Sequence, residues 1–376
     1  VKLALVRQRY TAFGGAERFV ERAIAALARE DLQLTLLTRK WSGSAEAGGP
    51  KPALRILDPF YLGRTWRDLS FARAVQQEIA RGDYDLVQSH ERVPGCDLYR
   101  AGDGTHLGWL QHRARARGQR FRTPFAPYHR YVLAAERAMF SHPRLRAVIC
   151  NSRFIQQEIA TQFGLPLERL PLITNGVDLE RFQPANEDEK RAARQTLGLP
   201  AEARIFGFVG SGFERKGLDA CVRHLPPGVH LVVAGKDREE PRYRRLAEEV
   251  GAGGRVHFLG PQRDVAPIYR ASDAFVFPAV YEPFGNVVLE AMACGLPAIT
   301  STSCGAESLI RDDENGWLVD AFSGEQIRTR FQALAELLDD TPRRTTIAEA
   351  ARAEAERHTQ AAMSAALVAL YRQLLG

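Results

Sequence analysis

The sequence predicts an α/β protein made of two doubly wound domains, each a parallel sheet covered by helices. Three observations predict it. Short β-branched runs alternate with longer amphipathic stretches along the chain, as parallel strands joined by helical crossovers require. The alternation breaks once, at the turn signal Asn175-Gly176-Val177-Asp178, after which the residues to about Pro200 are charged and poor in β-branched side chains. The length, 376 residues with 45% hydrophobic, is long for one domain and sufficient for two cores.

Taken in order, the first half carries candidate strands at Leu3–Val6, Leu34–Leu37, Leu86–Ser89 and Val148–Cys150. The second half carries them at Ile205–Val209, His230–Ala234, Val256–Leu259, Ala274–Phe277 and Ala298–Thr300. Helical periodicity marks Ala16–Ala28, Tyr243–Val250 and an alanine-rich tail over Thr345–Leu375. The domains are placed at 1–177 and 178–355. Residues 356–376 are expected to form a helix that returns to the first domain. Ligands of such sheets bind beyond the carboxyl ends of the strands. A cleft between the two domains is therefore the expected site.

Composition excludes several classes. No run of eighteen apolar residues occurs, so no membrane-spanning helix is expected. Val1–Val6, followed by Arg7, has the character of a first strand and not of a signal peptide, which predicts a cytoplasmic protein. Cys96, Cys150, Cys221, Cys294 and Cys304 are scattered and never paired as C-x-x-C. Reduced, buried thiols are expected in place of disulfides or zinc. A net charge of +6 suits an anionic partner. No nucleic-acid module is recognisable, so nucleic acid is not expected among the partners.

Chemistry is sought just after strands. Phe13-Gly14-Gly15-Ala16-Glu17-Arg18 follows the first one. Its glycines allow a close backbone approach to a ligand, and the next helix offers amides to an anion. It is not the G-x-G-x-x-G fingerprint, and a plain strand-to-helix turn also accounts for it. Gly210-Ser211-Gly212-Phe213-Glu214-Arg215-Lys216-Gly217 follows the first strand of domain two. A guanidinium fork beside a point charge suits a diphosphate, although a solvated charged turn has the same composition.

The third motif is Tyr281-Glu282-Pro283-Phe284-Gly285-Asn286-Val287-Val288-Leu289-Glu290. Pro278 ends a strand, a loop follows, and Asn286 is expected to cap a helix. Glu282 on the loop and Glu290 on the helix can each accept paired hydroxyl hydrogen bonds, as a sugar and a ribose would donate. The amides at Gly285–Val287 suit a phosphate. Glu290 as an ordinary exposed helix charge is the plainer alternative.

Between Gly104 and Ala135 there is no acidic residue. Arg113, Arg115, Arg117, Arg120, Arg122 and Arg130 are interleaved there with Trp109, Phe121, Phe125, Tyr128 and Tyr131. This composition suits an anionic membrane surface, a phosphorylated lipid-linked glycan or a solvated loop. No Asp-x-Asp motif stands at a strand end, since Asp83-Tyr84-Asp85 precedes its strand. No metal and no other cofactor is therefore expected.

Together these motifs resemble the family 4 retaining glycosyltransferases of the GT-B fold, in which two Rossmann-like domains face each other across a cleft. The resemblance covers nearly the whole chain. It rests on Glu282…Glu290 in the E-x7-E spacing, on Ala291-Met292-Ala293-Cys294-Gly295-Leu296-Pro297, and on Asn175-Gly176-Val177-Asp178 as the interdomain segment. Within the family the likeness is nearest to the glucosyltransferases of the lipopolysaccharide core. That likeness is carried by Phe13-Gly14-Gly15, Pro94-Gly95-Cys96-Asp97-Leu98-Tyr99 with Ala101 and Asp103, Ala135-Glu136-Arg137-Ala138, Arg215-Lys216-Gly217-Leu218-Asp219 and Val256-His257-Phe258. Glu17 and Phe19 depart from the Gln and the acidic residue of that branch.

The resemblance implies that Arg215 and Lys216 hold the diphosphate of a nucleotide-sugar donor, with Gly14 and Gly15 approaching it. It implies Glu290 on the ribose, Glu282 on the transferred sugar, and Gly210, Phe284, Gly285, Asn286 and Val287 lining the donor. Asp103 matches an acidic residue on the acceptor side and is counted as catalytic with Arg215, Lys216 and Glu282; His106 is near enough to join it, although a lone histidine is more often structural. Apart from the resemblance, Glu17 by its place after the glycines and the arginines at 113, 115, 117, 120 and 122 by their charge are placed on the acceptor or membrane side. The resemblance further implies retention of configuration by front-face transfer. The expected reaction moves a hexose, glucose favoured, from a UDP-sugar to a lipopolysaccharide core or related glycan, at the cytoplasmic face of the inner membrane. GDP-mannose or UDP-GlcNAc donors, an epimerase or phosphorylase of the same shape, and a non-catalytic nucleotide or anionic-membrane binder are the competing readings.

Overall fold

A computed structural model of the protein describes residues 1–10, 33–41, 53–122 and 125–376. The helix expected at Ala16–Ala28 lies outside the described residues. The chain forms two compact units. The first comprises Val1–Gln111, Arg120–Asn175 and Gln360–Gly376, and the second His112–Gln119 and Gly176–Thr359.

The strands of the first unit are β1 (Lys2–Val6), β2 (Arg9–Tyr10), β3 (Gln33–Thr38), β4 (Lys40–Trp41), β5 (Ala53–Ile56), β6 (Leu86–Ser89), β7 (Leu98–Arg100) and β8 (Ala147–Ile149). Six of them make one parallel sheet in the order β5-β3-β1-β6-β7-β8. Successive residues of a strand face opposite sides, and both sides of this sheet are apolar. Leu3, Leu5, Leu36, Leu86, Leu98 and Ile149 share one buried cluster with Met363, Leu367, Leu370 and Tyr371 of the helix Gln360–Leu375. Ala4, Val6, Leu37 and Val87 pack on the other side against Phe71, Ala72, Val75 and Ile79 of the helix Gly63–Arg81. The Tyr371 hydroxyl donates to Gln88 Oε1 at 2.5 Å inside this packing.

The second unit repeats the plan with β9 (Arg204–Val209), β10 (Val229–Ala234), β11 (Val256–Gly260), β12 (Ala274–Phe277), β13 (Ala298–Ser301) and β14 (Gly316–Val319). They form a parallel sheet in the order β11-β10-β9-β12-β13-β14. In each unit β1 or β9 lies inside the sheet and the strand order reverses around it, which is the doubly wound pattern.

Two boundaries differ from those expected. The chain enters the second unit after Asn175 and not after 177, and the returning helix begins at Gln360 and not at 356. The reason is a pairing of the entering and leaving strands of chain. Val177 N donates to His358 O at 2.8 Å, and Val177 bridges Thr359 in parallel. The periodic tail is therefore two helices, Thr341–Ala355 in the second unit and Gln360–Leu375 in the first. No described helix is long and apolar enough to cross a membrane.

Candidate active site

The second unit gathers the predicted donor residues at the carboxyl ends of β9, β12 and β13. After β9 the chain turns through Gly210-Ser211-Gly212 into the short helix Phe213–Lys216. Gly217 ends that helix with φ +78°, and a Cβ there would lie 2.0 Å from the Pro278 carbonyl oxygen. Only glycine allows this approach. It brings the Arg215-Lys216 turn against the loop that leaves β12, where Val280 N donates to Arg215 O at 2.9 Å. Gly210 contributes room: a Cβ would stand 3.3 Å from Lys216 Cγ.

Glu282 is fixed by its backbone. Its N–H donates to Ser303 O at 3.0 Å, and its carbonyl accepts from Gly305 N at 2.8 Å, beyond the end of β13. Its carboxylate is thereby set against the two cations. Lys216 Nζ contacts Glu282 Oε2, and Arg215 Nη2 stands 3.7 Å from the same oxygen. The Lys216 and Glu282 side chains are 11% and 15% exposed, that of Arg215 36%. Solvent therefore screens the lysine–glutamate pair little, and losing either partner would strand a mostly buried charge. Arg215 keeps an accessible edge. Lys216 Nζ also lies 5.5 Å from the Phe277 ring centroid.

The helix Asn286–Ala293 follows. Its cap is Gly285 and not Asn286, which is the first helical residue. Gly285 has φ +91°, and a Cβ would meet Cys304 Sγ at 2.6 Å, so the position takes no side chain and no Asx-type cap forms there. Burial raises the Cys304 thiol above its usual range, which keeps it neutral. The positive end of the helix dipole opens at Gly285, Asn286 and Val287. Phe284 is buried in the core of the unit, and its carbonyl accepts from Cys304 Sγ at 3.4 Å. Glu290 is 7% exposed, and its Oε2 accepts from the Tyr269 hydroxyl at 2.8 Å. It is not an exposed helix charge.

In the first unit Asp103 is exposed on the loop after β7. That loop is held from below by Glu136, which accepts from Arg92 Nε at 2.7 Å and from the His106 amide at 2.6 Å. His106 Nε2 hydrogen-bonds His129 Nδ1 at 2.8 Å. Near Asp103 stand residues the sequence reasoning did not select, Glu91 and Arg92 after β6 and Arg100 closing β7, with Arg7 after β1 paired to Glu91 and His90 close to Arg7 and Arg100. Burial pushes Arg100 down to about 10, with the Asp103 charge opposing. Burial, then the Arg100 and Arg7 charges, hold His90 well below the usual imidazole range. Burial raises Glu91, against the pull of Arg7. Their common signal is position, each lying within a few residues of a strand's carboxyl end. Gly14, Gly15 and Glu17 lie outside the described residues.

The arginine-rich segment is not one basic face. Residues 112–119 belong with the second unit. There Arg115 pairs with Asp320 at 3.0 Å and covers the Phe322 ring at 4.0 Å, while Arg117 pairs with Glu214 at 2.7 Å. Those carboxylates lie far along the sequence, which is why an acid-free window concealed them. Arg113 is half-buried, whereas Arg120 and Arg122 are exposed in the first unit. Among the described residues no three His, Cys, Asp or Glu side chains converge as metal ligands would.

Two doubly wound units, each with a six-stranded parallel sheet, are the architecture of the GT-B class. Residues 13–181 match Glycosyltransferase Family 4, and residues 189–354 match Glycosyl transferases group 1. The chain belongs to the family 4 glycosyltransferases, nucleotide-sugar-dependent enzymes of the GT-B fold.

Among its relatives is the lipopolysaccharide glucosyltransferase WaaG of Escherichia coli (strain K12), 27% identical over 361 residues, covering 93% of each chain. Another is the D-inositol 3-phosphate glycosyltransferase of Mycobacterium tuberculosis (strain ATCC 25177 / H37Ra), 29% identical over 409 residues, covering 96% of this chain and 79% of that one. The crystal structure of WaaG, a glycosyltransferase involved in lipopolysaccharide biosynthesis, superposes with TM-score 0.81 at 25% identity over 97% of this chain and 99% of that one. Anabaena HepE in complex with UDP-glucose shares the fold, with TM-score 0.72 at 21% identity over 99% of both chains.

Proposed function

We propose that the protein is a retaining glycosyltransferase that moves glucose from UDP-glucose to a lipopolysaccharide core or related envelope glycan, at an anionic membrane surface and without a metal. The observation that carries the donor half is the convergence of Arg215, Lys216 and Glu282 at the strand ends of the second unit. Arg215 and Lys216 stabilise charge developing on the leaving diphosphate, and the amides at the start of helix Asn286–Ala293 assist. Glu282 orients hydroxyls of the sugar and Glu290 those of the ribose. Two cations and a helix end supply the charge stabilisation that a divalent ion would otherwise provide. Support for glucose and for the acceptor comes from the WaaG likeness, and for UDP from the complex of HepE. Asp103, with His106 at the start of the helix His106–Ala116 that follows its loop, serves the acceptor.

The test is transfer from UDP-glucose, GDP-mannose, UDP-GlcNAc and ADP-glucose to truncated lipopolysaccharide core and to D-inositol 3-phosphate, each with excess chelator. Transfer of glucose to the core, undiminished by chelator, is the expected result. Preference for the inositol phosphate, which the 29% identity to its glycosyltransferase makes the second reading, overturns the acceptor. Activity lost in chelator and restored by magnesium overturns the metal-free reading. Product formed without acceptor points to an epimerase.

A further inference from the structure

Four of the large apolar side chains that the first unit exposes, the three aromatic ones among them, stand at the starts of two helices. Phe60, Leu62 and Trp66 are 72%, 69% and 46% exposed around the start of helix Gly63–Arg81. Phe125, 96% exposed, stands two residues before helix Pro127–Phe140. The Phe60 and Trp66 rings meet edge to face at 5.6 Å, so they project as one apolar knob. The two helix starts are neighbours, with the Arg64 guanidinium 4.1 Å from the Tyr128 ring centroid. Clustered apolar surface of this kind marks an interaction site, unlike single exposed side chains.

The charge around it has one sign. Neither helix has an acidic residue in its first turn, and Arg64 and Arg130 lie in those turns. Both positive helix ends add to them. Arg120 and Arg122 are exposed a few residues before Phe125. The nearby carboxylates are already held, Asp58 by Arg39 at 2.6 Å and Asp68 by Arg67 at 2.7 Å. A second copy of this surface would set arginine against arginine.

We infer that Phe60, Leu62, Trp66 and Phe125 form the apolar anchor by which the first unit seats on an anionic bilayer. The aromatic rings enter the headgroup boundary, while Arg64, Arg120, Arg122 and Arg130 meet lipid phosphates. The inference rests on the membrane reading above. It sharpens that reading by placing half of the contact in the Phe60–Trp66 turn, outside the basic stretch.

The experiment is co-sedimentation of the whole protein with vesicles of phosphatidylcholine alone or mixed with phosphatidylglycerol. Wild type, the double variant Phe60→Ser/Leu62→Ser, Phe125→Ser and Arg120→Ser/Arg122→Ser are compared, each checked by thermal melting. Binding to the mixed vesicles only is expected, weakened roughly tenfold or more in the double variant because two exposed apolar groups no longer leave water. A blue shift of tryptophan emission on binding, absent in Trp66→Phe, and quenching of wild-type emission by brominated lipid give an independent readout. Wild type that sediments with neither vesicle removes the membrane reading itself. Anionic binding kept by the apolar variants and lost only with the arginines leaves that reading and overturns the anchor. Concentration-dependent self-association abolished by the apolar substitutions also overturns it, in favour of a protein contact.

Discussion

Gly217→Ala tests whether the close approach at the Arg215-Lys216 turn builds the donor site. The glycine has φ +78°, and the added Cβ would stand 2.0 Å from the Pro278 carbonyl oxygen. Left-handed backbone costs an alanine roughly 1–2 kcal/mol. Real Cβ atoms do not come within about 3 Å of such an oxygen, so the two backbones must part by about 1 Å, an overpacking penalty of roughly 1–3 kcal/mol. The sum, about 2–5 kcal/mol, lowers the melting temperature of a unit this size by on the order of 10 °C. The same displacement separates Lys216 from Glu282, and misplacement by about 1 Å costs on the order of 100-fold in turnover. Gly228→Ala is the control, since Gly228 has φ +74° with nothing within 4 Å of its added Cβ. It should show only the backbone term and full activity. Scanning calorimetry and kcat/KM for UDP-glucose measure both effects. A Gly217→Ala protein that melts and turns over like Gly228→Ala would refute the reasoning.

Lys216→Ala should lower kcat by two orders of magnitude or more, the cost of one lost transition-state donor. Wild-type turnover in a quench assay would contradict the diphosphate role. Tyr371→Phe removes the hydrogen bond to Gln88 and should cost about 1–2 kcal/mol in urea melts, whereas no change would mean that Gln88 finds another donor. His90, His224, His230 and His257 all sit below the usual imidazole value of 6.5, burial being the largest cause in each. The unfolded chain therefore takes up these protons first. Stability should be complete above about pH 6.5 and decline as pH falls through the lower folded values. His90→Gln should flatten part of that decline between pH 7 and 5.5, and a flat wild-type profile would show that the imidazoles do not contribute.

Strands buried on both faces were legible where they are short apolar runs, as in Leu3–Val6 and Ala274–Phe277. Other strands did not carry that signal. Ala53–Ile56 is an exposed edge containing Arg55, Leu98–Arg100 has three residues and ends in a charge, and Gly316–Val319 opens with glycine. Tertiary pairing, not local pattern, makes them strands. In the site, Arg215, Lys216 and Glu282 stood out because charge after a strand end is conspicuous in sequence. The direct contact between Lys216 and Glu282 was not readable, since it depends on the glycine approach at Pro278 and on the backbone bonds to Ser303 and Gly305. The cap at Gly285 was missed for a similar reason: Cys304, which excludes a side chain there, is distant in sequence.

The helix Gln360–Leu375 supplies Met363, Leu367, Leu370 and Tyr371 to the sheet that begins at Lys2. The first unit is thus completed by residues translated after the whole second unit. On the ribosome, the face carrying Leu3, Leu5, Leu36, Leu86 and Leu98 stays uncovered while residues 176–359 emerge and fold. Synthesis runs from the amino terminus, yet in this chain the later unit can finish first, and the earlier one closes only when its last helix arrives. During that interval the nascent protein carries an unfinished apolar sheet, the kind of surface that general chaperones protect.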